Sequence, residues 1–89
     1  MQYRGRRSLS RLYDHSPRWV DDRVKEMRET DRYPEMTILK GKGYILVSED
    51  AFRDYLYWKD AIEQGREIPP YVIPAETPEK VYLRGVETR

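Results

Sequence analysis

The spacing of apolar residues changes from a helical period to a strand period and back again within residues 8–66. Val20, Val24 and Met27 recur at the i, i+4 and i+7 positions that share one helix face. Two β-rich runs follow, on either side of the glycine-containing segment 41–43, and this pattern predicts a β-hairpin. A further helical pattern comes after the hairpin. The order predicts a small α+β domain.

Helix boundaries are indicated by capping residues. A short first helix is expected to begin near Ser8 or Ser10 as N-cap. The second helix is predicted from Pro17 to Glu29, because Ser16 is a natural N-cap and proline is favoured at the first helical position. The tight turn between the first two helices gives a helix-turn-helix pattern.

The third helix follows the hairpin directly. Ser48 is predicted as its N-cap and Gly65 as its terminator. Ile38, Ile45 and Val47 are expected to line the buried face of the hairpin, which has a loop of about three residues. The inner stripe of the third helix is predicted to consist of Phe52, Tyr55, Leu56, Lys59 and Ile62.

Flanking segments lack this periodicity. Residues 1–7 contain three arginines and are predicted to form a basic N-terminal arm. Residues 8–66 are predicted to be the folded domain. Residues 67–89 contain several prolines and are predicted to be an extended tail, in which residues 80–84 are either one more strand or part of a disordered tail.

Composition narrows the function. The chain has no cysteine and one histidine, which excludes disulfides and thiolate zinc sites and makes any metal or cofactor unexpected. The segment Asp14-His15-Ser16 does not predict catalysis, because neighbours in sequence do not face one another as a catalytic triad requires. No apolar run approaches the roughly 18 residues of a membrane span, and no signal peptide is recognisable. A cytoplasmic protein that is not an enzyme and has no membrane partner is expected.

Several short motifs occur together with this element order. They are Ser8-Leu9-Ser10-Arg11-Leu12, Ser16-Pro17-Arg18-Trp19-Val20 with Val24, the hairpin, and Val47-Ser48-Glu49-Asp50-Ala51-Phe52 with Tyr55-Leu56. The sequence thereby resembles the excisionase-type members of the MerR-like winged helix-turn-helix family of phages and mobile elements. The resemblance implies double-stranded DNA as partner, with the second helix in the major groove and the hairpin as a wing. It also implies a role as recombination directionality factor beside an integrase, or as a small transcription regulator.

Basic residues are concentrated in the N-terminal third. Residues 1–28 contain eight basic and four acidic side chains, although the whole chain has a net charge of only +1. Lysine and arginine that neutralise phosphates supply most of the sequence-independent affinity for DNA. Arg18 is the candidate for a base-edge contact, because guanidinium reads guanine bidentately. The predicted DNA-binding residues are Arg4, Arg6, Arg7, Ser16, Arg18, Lys25, Lys40 and Lys42.

A second interpretation stays open at this point. Asp21 and Asp22 lie on the predicted DNA-reading helix and would repel phosphate. Tyr57 and Trp58 give the third helix more aromatic surface than one inner stripe can bury, so they either pack under the tail or form an interface. The alternative function is therefore a helix-turn-helix-like protein-interaction module of a phage or mobile element, and the interface partner would be a second copy, in a homodimer or a cooperative assembly, or a recombinase.

Overall fold

Three helices and a three-stranded antiparallel sheet make up the fold of residues 2–74, which the computed structural model describes. The chain is α+β, as the sequence predicts. In chain order the elements are β1 (Tyr3–Gly5), α1 (Arg6–Leu12), α2 (Pro17–Glu29), a 3₁₀ turn (Glu35–Thr37), β2 (Ile38–Gly41), β3 (Tyr44–Ser48) and α3 (Glu49–Glu63).

The predicted boundaries of α2 and α3 are confirmed by their caps. The Ser16 hydroxyl accepts a hydrogen bond from the Trp19 backbone N–H at 3.1 Å. The Ser48 hydroxyl accepts from the Ala51 backbone N–H at 3.2 Å. Gly65 follows α3 with a φ of +70°, a left-handed conformation that favours glycine and ends a helix.

The hairpin forms where it is predicted, but its loop is shorter. Gly41 pairs with Tyr44 across the ladder, so only Lys42 and Gly43 form the turn. Gly43 has a φ of +79°, a left-handed backbone conformation that a residue with a side chain would adopt only with strain. On the inner face Val47 is fully buried, and Ile38 and Ile45 pack against the core as expected.

The N-terminal segment corrects the prediction of a basic arm over residues 1–7. Residues 3–5 form β1, which pairs with β3 in the sheet order β1-β3-β2, and α1 begins at Arg6 rather than near Ser8 or Ser10. The Glu49 backbone N–H also donates to the Gln2 carbonyl at 2.9 Å. The first strand is thus held by β3, a partner more than 40 residues away in sequence, and local periodicity carries no signal for such pairing.

One core joins the three helices to the inner face of the sheet. Phe52 is completely buried at its centre, and the rings of Tyr13 and Trp19 lie 5.5 and 5.8 Å from it, centroid to centroid. Burying an aromatic ring of this kind is among the largest single contributions to the stability of a small domain. The buried core residues are Leu9, Val20, Val24, Met27, Val47, Ala51, Phe52 and Tyr55.

After α3, residues 66–74 have no regular secondary structure and return along the helix. The Arg32 guanidinium donates to the Pro69 carbonyl at 2.6 Å, and the Tyr71 hydroxyl donates to the Asp50 carboxylate at 3.0 Å. The predicted extended tail therefore contacts the folded domain as far as Tyr71. The remaining prediction, a strand or a disordered tail at residues 80–84, lies outside the described residues.

A set of tyrosine–carboxylate hydrogen bonds surrounds α3, and we refer to it as the tyrosine network. Each phenol donates to a carboxylate, at 2.7 Å in two cases and 3.0 Å in the third. Burial, and then the adjacent carboxylate, raise the pKa of every one of these phenols, for Tyr71 to about 12. The network consists of Tyr33 with Asp54, Tyr55 with Glu26, and Tyr71 with Asp50.

Candidate functional site

An open groove of about 1050 Å³ runs between α2 and the β2–β3 hairpin, with the start of α1 at its margin. Five of its lining side chains are basic and two are acidic, and we call it the basic groove. Its charged residues are Arg6, Arg7, Lys25, Arg28 and Lys40 with Asp21 and Glu29; its other lining residues are Gly5, Val24, Gly41, Gly43, Tyr44, Ile45 and Leu46.

One face of α2 is buried in the core, and the opposite, outer face is exposed to solvent. Val20, Val24 and Met27 are at most 4% exposed, which fixes the rotation of the helix. Six charged residues of α2 lie on the exposed outer face, three of them basic and three acidic. They are Arg18, Asp21, Asp22, Lys25, Arg28 and Glu29.

Arg23 belongs to the body of the molecule rather than to this outer face. Its guanidinium makes two hydrogen bonds to the Glu26 carboxylate, at 2.9 and 2.7 Å, and lies 5.8 Å from the centre of the Trp19 ring. Burial alone would raise the pKa of Glu26, but the hydrogen bonds from Arg23 and Tyr55 outweigh it and lower that pKa. The hydrogen bond from Tyr55 to Glu26 joins α3 to α2, and Arg23 holds the Glu26 carboxylate from within α2.

Asp21 is compensated by an ion pair within the basic groove. The Arg6 Nε, at the start of α1, donates to both carboxylate oxygens of Asp21, at 2.8 and 2.9 Å. Glu29 is the other acid in the lining, and no ion pair to it occurs within residues 2–74. The groove therefore has a net positive charge and can attract a polyanion.

Tyr44 gives the hairpin an aromatic side chain at the basic groove. Its ring covers Gly41, since a Cβ added to Gly41 would lie only 2.2 Å from ring atoms of Tyr44. The ring is held there while the Tyr44 residue stays 59% exposed. Sequence reasoning missed Tyr44, although the glycine opposite it in the hairpin register is a usable signal for such a close approach.

The structure brings four of the predicted DNA-binding residues together around the groove: Arg6, Arg7, Lys25 and Lys40. Arg28 joins them, and its spacing of three residues from Lys25 on the outer face of α2 is a signal that the prediction did not use. Each of these side chains can reach a ligand that lies between the helix and the hairpin.

The other predicted residues lie elsewhere. Arg4 lies away from the groove: it forms an ion pair with Glu49, which links β1 to the start of α3, and it donates to the Ser8 hydroxyl at 2.8 Å. Ser16 is committed to capping α2. Arg18 and Lys42 are exposed but do not line the groove.

Tyr57 and Trp58 form an edge-to-face pair on α3, with ring centroids 4.9 Å apart. Tyr57 is 77% exposed, whereas Trp58 is half-buried. Neither ring belongs to the core cluster or to the groove lining. This surface is separate from the basic groove.

His15 stacks on the Trp19 ring, with centroids 4.0 Å apart and planes at 12°. The stack lies in the turn between α1 and α2, where the Ser10 hydroxyl donates to the His15 carbonyl. Within residues 2–74, no group of three histidine or carboxylate side chains is placed to hold a metal ion.

None of the helices within residues 2–74 has both the length and the apolar surface needed to cross a lipid bilayer. No protein-family model matches the chain, and neither the search of curated proteins nor that of solved structures finds a match.

Proposed function

We propose that this chain is a double-stranded-DNA-binding protein of the winged helix-turn-helix type. In this proposal α2 enters the major groove, the β2–β3 hairpin is the wing, and the basic groove between them holds phosphates. The observation that carries the proposal is the collection of five basic side chains, from α1, α2 and the hairpin, around one open groove.

The dimensions of α2 support the proposal. At 1.5 Å per residue its 13 residues span about 20 Å, and an α-helix with side chains is about 10–12 Å across. The major groove of B-DNA is about 12 Å wide, so it admits one such helix. Arg18, Lys25 and Arg28 project from the exposed face, and each lies outside the ion pairs found within residues 2–74.

The distribution of charge supports phosphate binding at one groove rather than attraction of DNA by the charge of the whole molecule. The chain has a net charge of only +1, so a field of the whole molecule is weak. Eight basic side chains lie outside the ion pairs found within residues 2–74, and four of them line the basic groove: Arg7, Lys25, Arg28 and Lys40. Binding of this kind falls steeply with salt, with a slope of about −0.9 for each phosphate neutralised.

The resemblance of the sequence to excisionase-type proteins extends the proposal to a role. The chain would act as a recombination directionality factor together with an integrase, or as a small transcription regulator, in a phage or mobile element. An integrase gene beside the gene for this chain would favour the first role, and a divergent repressor gene the second.

The decisive experiment is fluorescence anisotropy with a labelled 20-base-pair duplex of random sequence, at about 50 and 200 mM salt. We expect a micromolar dissociation constant at the lower salt and a steep loss at the higher. The triple variant Lys25→Ala/Arg28→Ala/Lys40→Ala is expected to lose most of this affinity, and its salt slope to shrink by up to about 3.

The control with an equal change in charge is Arg11→Ala/Arg53→Ala/Arg66→Ala, which removes three exposed positive charges outside the groove lining; of these only Arg53 is in an ion pair within residues 2–74, with Asp50. This control should bind nearly as well as the unchanged protein. The proposal fails if the unchanged protein does not bind at about 50 mM salt and micromolar concentration, or if both triple variants lose affinity equally.

The exposure of Tyr57 favours a second candidate, a protein-interaction module anchored by Tyr57 and Trp58. Aromatic residues at surfaces are frequent anchors of protein interfaces. If DNA binding is absent, light scattering should show an oligomer that Tyr57→Ser dissociates. A monomer of the unchanged protein at high concentration would remove self-association from this candidate.

A further inference from the structure

Asp21 is one of two carboxylates that line the basic groove, where a negative charge opposes phosphate binding. Unlike Glu29, it forms an ion pair within residues 2–74. It lies 15 residues from Arg6 in sequence and on a different helix, yet the two side chains meet. Both carboxylate oxygens accept from the same atom, the Arg6 Nε, at 2.8 and 2.9 Å.

This geometry leaves the far end of the guanidinium free. Within residues 2–74 the two terminal nitrogens, Nη1 and Nη2, make no hydrogen bond, and the Arg6 side chain stays 44% exposed. Together these nitrogens carry four donors in a planar fork, which matches two oxygens of one phosphate.

We propose that Asp21 is a positioning residue: it holds Arg6 by Nε so that Nη1 and Nη2 grip one phosphate of the DNA backbone. The inference rests on the proposed function and deepens it. It means that this acid strengthens DNA binding, contrary to the effect expected from its charge alone.

Two effects of Asp21 compete. Its charge repels the phosphate, but both groups lie in water, where screening makes the repulsion weak. Its hydrogen bonds restrict the long Arg6 side chain before DNA arrives, so less rotamer freedom is lost on binding. For an exposed pair in high dielectric, we expect the second effect to be the larger.

Asp22 provides a matched control for the experiment. It is the next residue on α2, it is exposed, and it makes no ion pair within residues 2–74. Asp21→Ala and Asp22→Ala change the net charge equally and make the same substitution in the same helix. The readout is the dissociation constant for a random-sequence 20-base-pair duplex at about 50 mM salt.

We expect opposite signs. Asp22→Ala should tighten binding by about twofold, because one repulsive charge is removed. Asp21→Ala should weaken binding by about threefold to tenfold, and it should also make the salt slope shallower as the contact from Arg6 is lost.

A double-mutant cycle tests whether the effect passes through Arg6. In an Arg6→Ala background, Asp21→Ala should no longer weaken binding. Tightening by Asp21→Ala in the unchanged background, or equal weakening with and without Arg6, would overturn the inference. If Asp21→Ala unfolds in urea at a lower concentration than Asp22→Ala, Asp21→Leu and Asp22→Leu replace them, because leucine favours the helix and has no acceptor for Arg6, and the same cycle decides.

The outcomes separate the two proposals. A protein that binds DNA but is tightened by both alanine substitutions retains the proposed function and loses only the role of Asp21. A protein that does not bind the duplex at all loses the proposed function, and the role of Asp21 with it.

Discussion

Ionisable side chains of the tyrosine network are paired with one another, whereas most of those that line the basic groove make no ion pair within residues 2–74. Around α3 the phenols, carboxylates and arginines satisfy one another, as when Asp54 accepts from both Arg32 and Tyr33. At the groove, Lys25, Arg28 and Lys40 make no ion pair within the described part of the chain. Charged groups that are paired and partly buried stabilise the fold, whereas exposed and unpaired ones remain available to a ligand.

The largest effect on stability is expected from removing a paired carboxylate of the tyrosine network. Asp54→Ala would leave Arg32, whose side chain is 11% exposed, without its carboxylate, and Tyr33 without its acceptor. We expect a loss of about 2–3 kcal/mol in the free energy of unfolding, measured in urea. Lys25→Ala on the groove should change it by less than about 0.5 kcal/mol. Equal losses would mean that the two regions do not differ in this way.

The tyrosine network should also make the protein sensitive to alkali. The raised pKa values of Tyr33, Tyr55 and Tyr71 mean that the folded state holds these protons more tightly than the unfolded state, where the pKa is near 10. Their contribution is therefore complete below pH 10 and is lost as the pH rises toward 12, the value for Tyr71.

Tyr71→Phe tests this expectation. It should cost about 1–2 kcal/mol of unfolding free energy at pH 7, and that difference from the unchanged protein should shrink above pH 10. Urea titrations between pH 7 and 11 measure both quantities. Tyr57→Phe is the control, because Tyr57 is largely exposed and lies outside the network. A parallel decline of Tyr71→Phe and the unchanged protein with pH would contradict the assignment.

A smaller effect is expected in acid. Although burial opposes it, hydrogen bonding by Arg23 and Tyr55 lowers the pKa of Glu26 below its ordinary value of 4.5. The stabilisation from Glu26 is present above pH 4.5 and is lost as the pH falls through the lower, folded-state pKa. Glu26→Gln should cost about 1 kcal/mol at pH 7 and flatten the decline of stability below pH 4.5. A slope that stays unchanged would locate the acid sensitivity in other carboxylates.

The smallest effect on stability belongs to the hairpin. Gly41→Ala puts a methyl group where the Tyr44 ring lies, and the ring can swing away at little cost because the clash involves only its far end. We expect less than about 0.5 kcal/mol in stability. Affinity for a random DNA duplex should nevertheless fall about twofold to threefold if Tyr44 helps to shape the groove. Gly5→Ala adds a methyl group to another residue of the groove lining without meeting any atom of residues 2–74 within 4 Å, so a fall in affinity seen only for Gly41→Ala would locate the effect at Tyr44.

How far the sequence predicts the structure depends on how local each signal is. Ser16 and Ser48 each accept from a backbone N–H three residues later, and the core stripe of α2 repeats within two turns, so those elements are predicted correctly. The β1 strand and the role of Arg4 are not. Both depend on residues 46–49, which lie more than 40 residues away in sequence and meet the N-terminal segment only in the folded chain.

The candidate site likewise contains features that the sequence predicts and a contact that it does not. The basic residues of the hairpin and of α2 are visible as composition, and their exposure follows from the buried stripe on the other side of the helix. The Tyr44 ring over Gly41 is a local contact within the hairpin, and the glycine opposite it in the register is its signal. Nothing local in the sequence pairs Arg6 with Asp21, because that contact depends on how α1 packs beside α2.

The amino-acid order by itself determined the helices α2 and α3, the hairpin and the residues available for the core, because capping, turn formation and apolar periodicity act within a few residues. The tertiary structure decided which charges are paired and which face the groove. Pairing requires two side chains to lie within about 4 Å, and for residues far apart in the chain that distance exists only after the helices and the sheet have packed together.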